Sequence, residues 1–452
     1  MPAALDQVFK AYDVRGVYPD QLDEELAERV GRAFVALTGA KTLAIGQDMR
    51  PSSKPMADAL AAGAMAQGAD VLRVGLCSTD MLYYVSGALD VAGVMLTASH
   101  NPARYNGLKL CRPGALPVGE ESGLADIKRM VAAGEPAADA GHRGRERQAD
   151  DLLDRYAAHV RSFVDPGNLR PLKVVADAGN GMAGHVVPAV FQGLPFELVS
   201  MYFELDGSFP NHPADPLNPE NLRALQARVV AEGADVGLAF DGDADRVFLV
   251  DEQGATVPSS LVGALVARLM CEREPGATVL YNLICSRVVP ETIREAGGVP
   301  VRTRVGHSFI KGVMAETGAI FGCEHSGHYY FRDNYRADSG LIAALVALEA
   351  LSRAGRPLSQ VLAPYRRYAA SGEINRRVDG DPNQVILAVA RRYPPEAADF
   401  MDGLTVEAGD WWFNLRPSNT EPLLRLNVEA ASEAEMARVR DEVLELVGGE
   451  PA

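Results

Sequence analysis

The feature that most constrains the fold of this chain is a pattern that occurs three times along it. In each set, apolar runs of strand length alternate with helical stretches, and the last run ends in a polar loop. The runs are 43–46, 71–75 and 91–96 in the first set, 172–176, 196–202 and 234–240 in the second, and 278–283, 299–305 and 319–321 in the third. Such alternation predicts α/β layers, and its repetition predicts three similar domains.

The chain changes character after residue 372. It then contains strand-like runs at 404–406 and 423–428, an aromatic run at 411–413 and a capping box from Ser432 to Glu435. We therefore predict an α/β protein in which three similar layered domains precede a smaller C-terminal α+β domain. The predicted domains are 1–150, 151–253, 254–367 and 368–452, with an irregular linker at 132–150.

The composition excludes several classes of function. With 452 residues, of which 47% are hydrophobic, the chain can bury several cores. The net charge of −16 argues against nucleic acid or an anionic membrane as the main partner, because binding phosphate over a large surface needs a basic face. Five scattered cysteines and a start without a basic, apolar leader predict a cytoplasmic protein, and we expect a monomer.

The first polar loop, at 97–102, presents the hydroxyl of Ser99 directly after a strand that reads as buried. Strand ends are where open α/β sheets place their chemistry. The neighbouring pair Ser99 and His100 would be a weak signal alone, because adjacent loop side chains usually point apart. Three further polar loops strengthen the signal.

The second polar loop contains Asp241, Asp243 and Asp245, and together with Glu252 it imitates an EF-hand calcium loop. The imitation fails because Arg246 stands where the EF-hand turn needs glycine, and because both flanks look like strands. Three carboxylates in one tight turn repel one another and usually indicate a cation. Hard oxygen ligands of this kind suit Mg²⁺ when a phosphate completes the coordination shell.

The third polar loop, at 322–328, offers groups that can bind the hydroxyls of a polyol. Glu324 and Ser326 supply acceptors, and His328 supplies a titratable donor. Glycines bracket this turn, so the backbone can approach a ligand closely.

The fourth polar loop, at 416–422, is predicted to bind an anion. Arg416 can hold a phosphate with its planar guanidinium. Neutral donors are added by Ser418, Asn419 and Thr420. Because this loop lies on the last domain, it can close over a substrate and exclude water.

In this order and over the whole chain, the four loops resemble those of the α-D-phosphohexomutase family, and most closely its phosphomannomutase/phosphoglucomutase branch. The segment 9–16, Phe-Lys-Ala-Tyr-Asp-Val-Arg-Gly, adds to the resemblance. The resemblance implies that the four domains are, in chain order, the phosphoserine, metal-binding, sugar-binding and phosphate-binding domains.

The resemblance also implies a role for each site residue. A phosphorylated Ser99 would donate the phosphoryl group, and one of its oxygens would join the three aspartates around Mg²⁺. Lys109 and Arg246 can neutralise the transferring phosphate, and the resemblance assigns Lys109 a general acid and base role beside His328. The remaining implied positions are Tyr12, Arg15 and His100 around the same centre, Glu324 and Ser326 on the sugar 3- and 4-hydroxyls with His307 nearby, and Arg416, Ser418, Asn419 and Thr420 on phosphate.

The implied activity is the interconversion of hexose 1-phosphate and hexose 6-phosphate through hexose 1,6-bisphosphate, which would be both intermediate and activator. Glucose is the first expected sugar and mannose a close second, since none of the motifs inspects the C2 hydroxyl. The expected cofactor is Mg²⁺. The expected partners are small phosphosugars, with neither nucleic acid nor membrane among them.

Three alternatives stay open. A metal-dependent sugar phosphatase would share the serine and the carboxylates but would not need the sugar loop or the closing clamp. A phosphoglucosamine mutase usually carries Ser in place of Thr97 and Gln in place of His325. A non-catalytic sugar-phosphate binding protein would be expected to have lost Ser99 or an aspartate. One departure from the family is Ile284, which stands where lysine is frequent, so a cationic substrate contact is expected to be missing.

Overall fold

The computed structural model describes residues 2–134, 141–418 and 423–451, and its strands form four separate sheets. The predicted class is confirmed, because three α/β layered domains precede a smaller α+β domain. The exact domain boundaries at 150, 253 and 367 remain predictions. None of the helices in the described ranges combines the length and the apolar character that a membrane span requires.

The first sheet is mixed and carries the serine loop at the end of an inner strand. Its region contains α1 (Pro2–Val8), β1 (Val14–Val17), α2 (Glu24–Thr38), β2 (Thr42–Gln47), α3 (Ser53–Ala66), β3 (Asp70–Leu76), α4 (Thr79–Leu89), β4 (Ala92–Leu96), β5 (Tyr105–Arg112), β6 (Leu116–Pro117), α5 (Leu124–Ala133) and β7 (Glu146–Gln148). The sheet order is β1-β5-β4-β2-β3-β7, with β4 parallel to β2 and antiparallel to β5. All of β4 is buried, which explains its apolar sequence.

The segment predicted as an irregular linker contains a strand, so that prediction was wrong for Glu146–Gln148. Strand β7 pairs in parallel with β3 at the edge of the first sheet. Its sequence, Glu-Arg-Gln, is fully exposed and therefore lacks the apolar signal by which a strand is recognised.

The second sheet holds the aspartate loop between two adjacent strands. Its region contains α6 (Leu152–Arg161), β8 (Leu172–Asp177), α7 (Ala183–Phe191), β9 (Phe196–Met201), α8 (Arg223–Glu232), β10 (Val236–Phe240), β11 (Val247–Asp251) and β12 (Thr256–Val257). The order is β12-β11-β10-β8-β9. Strands β10 and β11 are antiparallel and both fully buried, so the loop is the turn of a hairpin rather than an EF-hand between helices.

The third region repeats the layered plan. It contains α9 (Ser259–Arg273), β13 (Thr278–Asn282), α10 (Val288–Glu295), β14 (Val299–Thr303), α11 (His307–Thr317), β15 (Phe321–Cys323), β16 (Tyr329–Phe331), α12 (Gly340–Ala354) and α13 (Leu358–Leu362). Strand β13 is parallel to both β14 and β15. Strand β15 begins two residues later than the run 319–321 indicated, because α11 ends at Gly318 in the left-handed conformation and the chain must first leave the helix.

The last region is an antiparallel sheet with two long helices. It contains β17 (Ala369–Arg377), α14 (Pro382–Ala390), β18 (Ala398–Asp399), β19 (Leu404–Ala408), β20 (Trp411–Pro417), β21 (Leu423–Ala430), α15 (Glu433–Val447) and β22 (Glu450–Pro451). The sheet order is β18-β19-β20-β21-β17-β22. Helix α15 begins where the sequence predicted, since the Ser432 hydroxyl accepts a hydrogen bond from the Glu435 amide at 3.3 Å.

Contacts between residues divide the chain into two units. The first unit comprises Met1–Val262 and Ser326–Val361, and the second comprises Gly263–His325 and Leu362–Ala452. The loop at 322–328 is therefore shared, with Glu324 in the second unit and Ser326 and His328 in the first. The two units are described separately below.

Candidate active site

The aspartate loop lies entirely inside the first unit. Asp241 follows β10 directly, and the loop closes where Phe240 pairs with Val247. Asp241 and Asp243 are 0% exposed and Asp245 is 1% exposed. Three carboxylates without solvent need partners, because burial of an uncompensated charge is costly.

The serine loop supplies one of those partners. Ser99 is 5% exposed, and its Oγ donates to Asp241 Oδ2 at 2.6 Å. Its backbone is left-handed with φ of 49°, a conformation that costs energy for a residue with a Cβ. The amide of Ser99 donates to Thr97 Oγ1 at 2.9 Å, which helps to hold this conformation. Ser99 is therefore in direct contact with the first aspartate of the loop.

The two loops meet at Gly242. A Cβ built on Gly242 would lie 2.4 Å from the carbonyl oxygen of Ser99, which is closer than real Cβ atoms approach such an atom. Only glycine therefore allows the aspartate loop to pack directly against the backbone of the serine loop.

Arg50 contacts the backbone of the serine loop, and it was not among the residues predicted from the sequence. Its guanidinium donates to the carbonyl oxygens of Ser99 at 2.9 Å and Asn101 at 2.7 Å. It also donates to those of Pro102 at 2.8 Å and Tyr105 at 3.0 Å. Arg50 itself is paired with Asp48 at 3.1 Å. One buried cation therefore fixes the loop conformation that presents the Ser99 hydroxyl.

Lys109 on β5 is the main cationic partner of the other two aspartates. Its Nζ lies 2.7 Å from Asp243 Oδ2 and 2.6 Å from Asp245 Oδ2. The second oxygen of each carboxylate, Oδ1, is buried and accepts no hydrogen bond from any residue in the described ranges. One ligand atom each from Asp241, Asp243 and Asp245 lies within 4.8 Å of the others. These orphaned oxygens fit a hard divalent cation, which is the chemistry Mg²⁺ requires.

The pKa values show that the cluster lacks positive charge. Burial raises the pKa of Asp241 to about 8 against the opposing effect of Arg246. Burial also disfavours the charged form of Asp243, but Lys109 outweighs it and holds that pKa well below its usual range. The pKa of Lys109 is raised well above normal, because Asp243 and Asp245 outweigh burial. The charged form of Asp241 therefore needs a further cation beside it, which a bound metal ion would supply.

Arg246 and His100 connect the aspartates to the serine. Arg246 Nε donates to Asp241 Oδ2 at 3.0 Å, and its Nη2 lies 2.6 Å from His100 Nδ1. Because a guanidinium can only donate, Nδ1 of His100 must be an acceptor and the ring is neutral. Burial, followed by the charges of Arg246 and Arg15, lowers the pKa of His100 well below its usual value. His100 Nδ1 is also 3.3 Å from Ser99 Oγ.

Arg15 lies on β1 and reaches the serine loop. Its Nη1 donates to Asn101 Oδ1 at 2.6 Å, and its Nη2 pairs with Asp13 at 2.5 Å. Arg15 is therefore more than an isolated surface residue. Tyr12 lies in the bend before β1 and is partly buried.

His328 joins the same cluster from the first unit's part of the third domain. It forms an isolated β-bridge with Arg246, and its Nε2 is 3.7 Å from Asp245 Oδ1. Its Nδ1 is 2.9 Å from the hydroxyl of Ser326. The structure therefore brings together, within one unit, most of the predicted catalytic residues and Ser326.

Glu324 belongs to the second unit and is 3% exposed. Its Oε1 accepts from the amide of Gly306 at 3.1 Å and from Asn282 Nδ2 at 3.3 Å, so it links the end of β13 to the loop that follows β14. Ile284, which follows β13, is buried and aliphatic, so no charge is present at this position. His307 begins α11, and its side chain lies outside the described part of the structure.

Arg416 lies near the end of β20 rather than in a loop, and it is 5% exposed. Its Nη2 donates to Glu373 Oε2 at 2.9 Å, and the other oxygen of Glu373 is 3.2 Å from Arg425 Nη1. Burial lowers the pKa of Arg416, although Glu373 opposes this effect. The amide of Ser418 donates to the Leu423 carbonyl at 2.8 Å. Asn419 and Thr420 lie outside the described residues.

A separate cavity of about 420 Å³ lies within the second unit. Its walls include Tyr281, Arg287, Arg302, Tyr368 and Trp412. None of the residues predicted for the site lines it. The size of a cavity therefore does not identify the chemistry of this chain, whereas the buried carboxylates and the serine do.

Comparison with known proteins agrees with this geometry. Models of four phosphoglucomutase/phosphomannomutase domains match the chain in order: α/β/α domain I at 6–137, α/β/α domain II at 154–254, α/β/α domain III at 258–368 and the C-terminal domain at 373–446. Each matched range contains most of one sheet, while β7, β12 and β22 lie outside the matched ranges.

Individual relatives span the full length. The chain is 41% identical over 451 residues to a protein named phosphohexose mutases from Xanthomonas campestris pv. campestris, covering 98% of this chain and 99% of the relative. It is 40% identical over 446 residues to phosphomannomutase of Escherichia coli strain K12, covering 96% and 97%. A crystal structure of a phosphoglucomutase/phosphomannomutase family protein from Burkholderia thailandensis matches with a TM-score of 0.87 at 34% identity, covering 98% of this chain and 99% of that one.

Proposed function

This chain belongs to the phosphoglucomutase/phosphomannomutase family of phosphohexomutases, and we propose that it interconverts hexose 1-phosphate and hexose 6-phosphate through a phosphoserine at Ser99. The observation that carries the proposal is the 2.6 Å contact between Ser99 Oγ and Asp241 in a cluster with two orphaned carboxylate oxygens. A serine hydroxyl next to a cation site suits phosphoryl transfer, which needs positioning and charge neutralisation more than covalent help.

The residues of the first unit suit the two halves of the reaction. A bound Mg²⁺, held by Asp241, Asp243 and Asp245, would supply charge neutralisation at the transferring group. The bond between phosphorus and Ser99 Oγ breaks as a bond from a sugar hydroxyl to phosphorus forms. We assign to Lys109, which its aspartate neighbours keep protonated, the proton that the departing serine oxygen takes up.

His328 is the partner for the other proton. We assign to it the proton that the attacking sugar hydroxyl loses, and the second half of the reaction reverses both transfers. Arg246 and Arg15 add positive charge around the serine loop. The neutral His100 accepts from Arg246, whose guanidinium donates to the same oxygen of Asp241 as the Ser99 hydroxyl.

In the proposal, the remaining residues bind the substrate and do not react. Glu324, Ser326 and His307 bind sugar hydroxyls, and Arg416, Ser418, Asn419 and Thr420 bind the phosphate that is not being transferred. Hexose 1,6-bisphosphate is then the intermediate and the activator that phosphorylates Ser99. Glucose and mannose phosphates are both proposed substrates. Glucose was the first expectation from sequence, whereas the name of the Escherichia coli relative points to mannose.

The test is the phosphorylation state of Ser99. We expect intact mass and phosphopeptide mapping to find phosphate on Ser99 of the purified protein, and more of it after addition of glucose 1,6-bisphosphate. The matched control is Ser208→Ala, which removes an exposed hydroxyl that donates to Asp206. Full activity of Ser99→Ala, or phosphate found only elsewhere, would overturn the nucleophile assignment.

The same protein sample separates the proposal from its rivals. A coupled assay with glucose 1-phosphate, mannose 1-phosphate and glucosamine 1-phosphate distinguishes the three mutase activities. Release of inorganic phosphate without any isomer would instead show a metal-dependent sugar phosphatase. A phosphatase admits water to the phosphorylated serine, whereas a mutase excludes it. The assay therefore measures whether water is excluded.

A further inference from the structure

The first turn of α4 packs against the aspartate loop. Thr79 is the first residue of this helix and is 0% exposed. Its Oγ1 donates to Asp243 Oδ2 at 2.5 Å, and its amide donates to the carbonyl oxygen of Asp243 at 3.0 Å. One residue therefore holds both the side chain and the main chain of one aspartate.

The hydrogen bonds that Thr79 and Lys109 make to Asp243 decide which of its carboxylate oxygens is available to bind a cation. Lys109 and Thr79 both bind Oδ2, so Oδ1 is the atom left without a hydrogen bond in the described part of the chain. A carboxylate free to rotate about its bond to Cβ could present either oxygen. With Thr79 on one side and Lys109 on the other, only one orientation satisfies both donors.

Thr79 is itself anchored by a buried network centred on Asp80. The carboxylate of Asp80 accepts from Ser78 Oγ at 2.5 Å, from Tyr156 Oη at 2.6 Å and from Ser339 Oγ at 2.5 Å. Ser78 caps α4 and Ser339 caps α12, since each hydroxyl accepts from an amide in the first turn of its helix. Asp80 thus ties the starts of two helices to a tyrosine of α6 and leaves the α4 turn little freedom to move.

We propose that Thr79 is a positioning residue of the metal site, which selects the Asp243 oxygen that faces the cation, and that Asp80 holds Thr79 in place. The proposal rests on the metal dependence in the proposed function. It concerns an outer-shell residue, and loss of such a contact typically weakens metal binding by roughly 10- to 100-fold.

The experiment measures Mn²⁺ binding directly by electron paramagnetic resonance, without reference to turnover. Thr79→Val keeps the shape of the side chain and removes the donor, so we expect a Kd for Mn²⁺ that is roughly 10- to 100-fold higher than in the wild type. Thr79→Ser keeps the hydroxyl and should bind nearly as the wild type does. The matched control is Thr292→Val, which removes a buried hydroxyl that has no hydrogen-bond partner in the described residues.

A second variant guards against misfolding of the first. Tyr156→Phe removes one of the three donors to Asp80 without changing packing, and we expect a smaller rise in the Kd for Mn²⁺. At saturating metal, both variants should keep the wild-type KM for the hexose phosphate, because neither residue is assigned to substrate. Wild-type Mn²⁺ affinity in a folded Thr79→Val protein, or in Tyr156→Phe if the first does not fold, would overturn the proposal.

The two proposals fail in different ways. A protein that binds Mn²⁺ in a Thr79-dependent manner but forms no isomer contradicts the mutase assignment alone. If the protein forms the isomer but binds Mn²⁺ equally well in the wild type and in Thr79→Val, only the positioning role is contradicted.

Discussion

The aspartate loop and the Arg416 region both hold buried charge, but they hold it in opposite ways. In the aspartate loop every carboxylate is fixed by internal donors, and the two orphaned oxygens are the only acceptors in the cluster that the described residues leave open. Arg416 is instead paired with Glu373, whose side chain is 27% exposed. In the proposed function the first region is preorganised for a small ion of fixed geometry, whereas the second would offer a cation to a phosphate that arrives and leaves.

Chelation of metal tests the first half of this comparison and has the largest expected effect. EDTA should abolish turnover, because three buried carboxylates cannot stabilise a transferring phosphoryl group without the cation. Mg²⁺ should restore the activity, and Ca²⁺ should restore it poorly, since Ca²⁺ prefers more ligands at longer distances. Thermal unfolding should show that the chelated protein stays folded, because Lys109, Arg246 and Thr79 still hold the loop. Equal rates with Ca²⁺ would contradict the magnesium interpretation.

Removal of the Arg416 guanidinium tests the second half. Arg416→Ala should cost roughly 2 to 3 kcal/mol of phosphate binding, or about 30- to 150-fold in kcat/KM. We expect a raised KM and more hexose 1,6-bisphosphate released per turnover, measured by steady-state kinetics and product analysis. Phosphorylation of Ser99 by saturating bisphosphate should be unchanged. A wild-type KM with no extra release would mean that Arg416 is a structural residue of its sheet.

Substitution of Glu373 has the smallest expected effect, and it tests most directly whether a phosphate replaces Glu373 as the partner of Arg416. In the described residues Arg416 Nε is buried and has no hydrogen-bond partner, whereas Nη2 donates to Glu373. Glu373→Gln keeps the hydrogen bond and removes a charge, and we expect KM for the sugar phosphate to change by no more than about fivefold. The control is Glu407→Gln. Glu407 lies on the same sheet as Glu373, and its carboxylate pairs with Arg302 of β14. A change in KM as large as that of Arg416→Ala would show that the pair acts as one unit.

Much of the fold could be predicted from the sequence because its signals are local. Buried inner strands such as β4 and β10 are continuous apolar runs, and the turns that follow them are polar. The strand β7 could not be predicted in this way, because an exposed edge strand of three polar residues carries no apolar pattern. The position of β15 was shifted because the left-handed residue that ends α11 sets where a strand can begin.

The same limit separates the site residues that could be predicted from those that could not. Ser99 and the three aspartates are recognisable because each lies at a strand end in a short motif. Arg50, Thr79 and Glu373 act on residues far away in the sequence, so no local pattern shows their partners. Arg50 looks like a surface residue until the fold places four carbonyl oxygens around it.

The contact between Gly242 and the Ser99 carbonyl limits which substitutions the two loops can accept during evolution. Surface loops usually accept insertions and substitutions one at a time. Here a single added methyl group at position 242 would have to displace the backbone of another domain. The serine loop and the aspartate loop can therefore be remodelled only together, and an engineered exchange of one domain for that of a relative should transplant both loops as a matched pair.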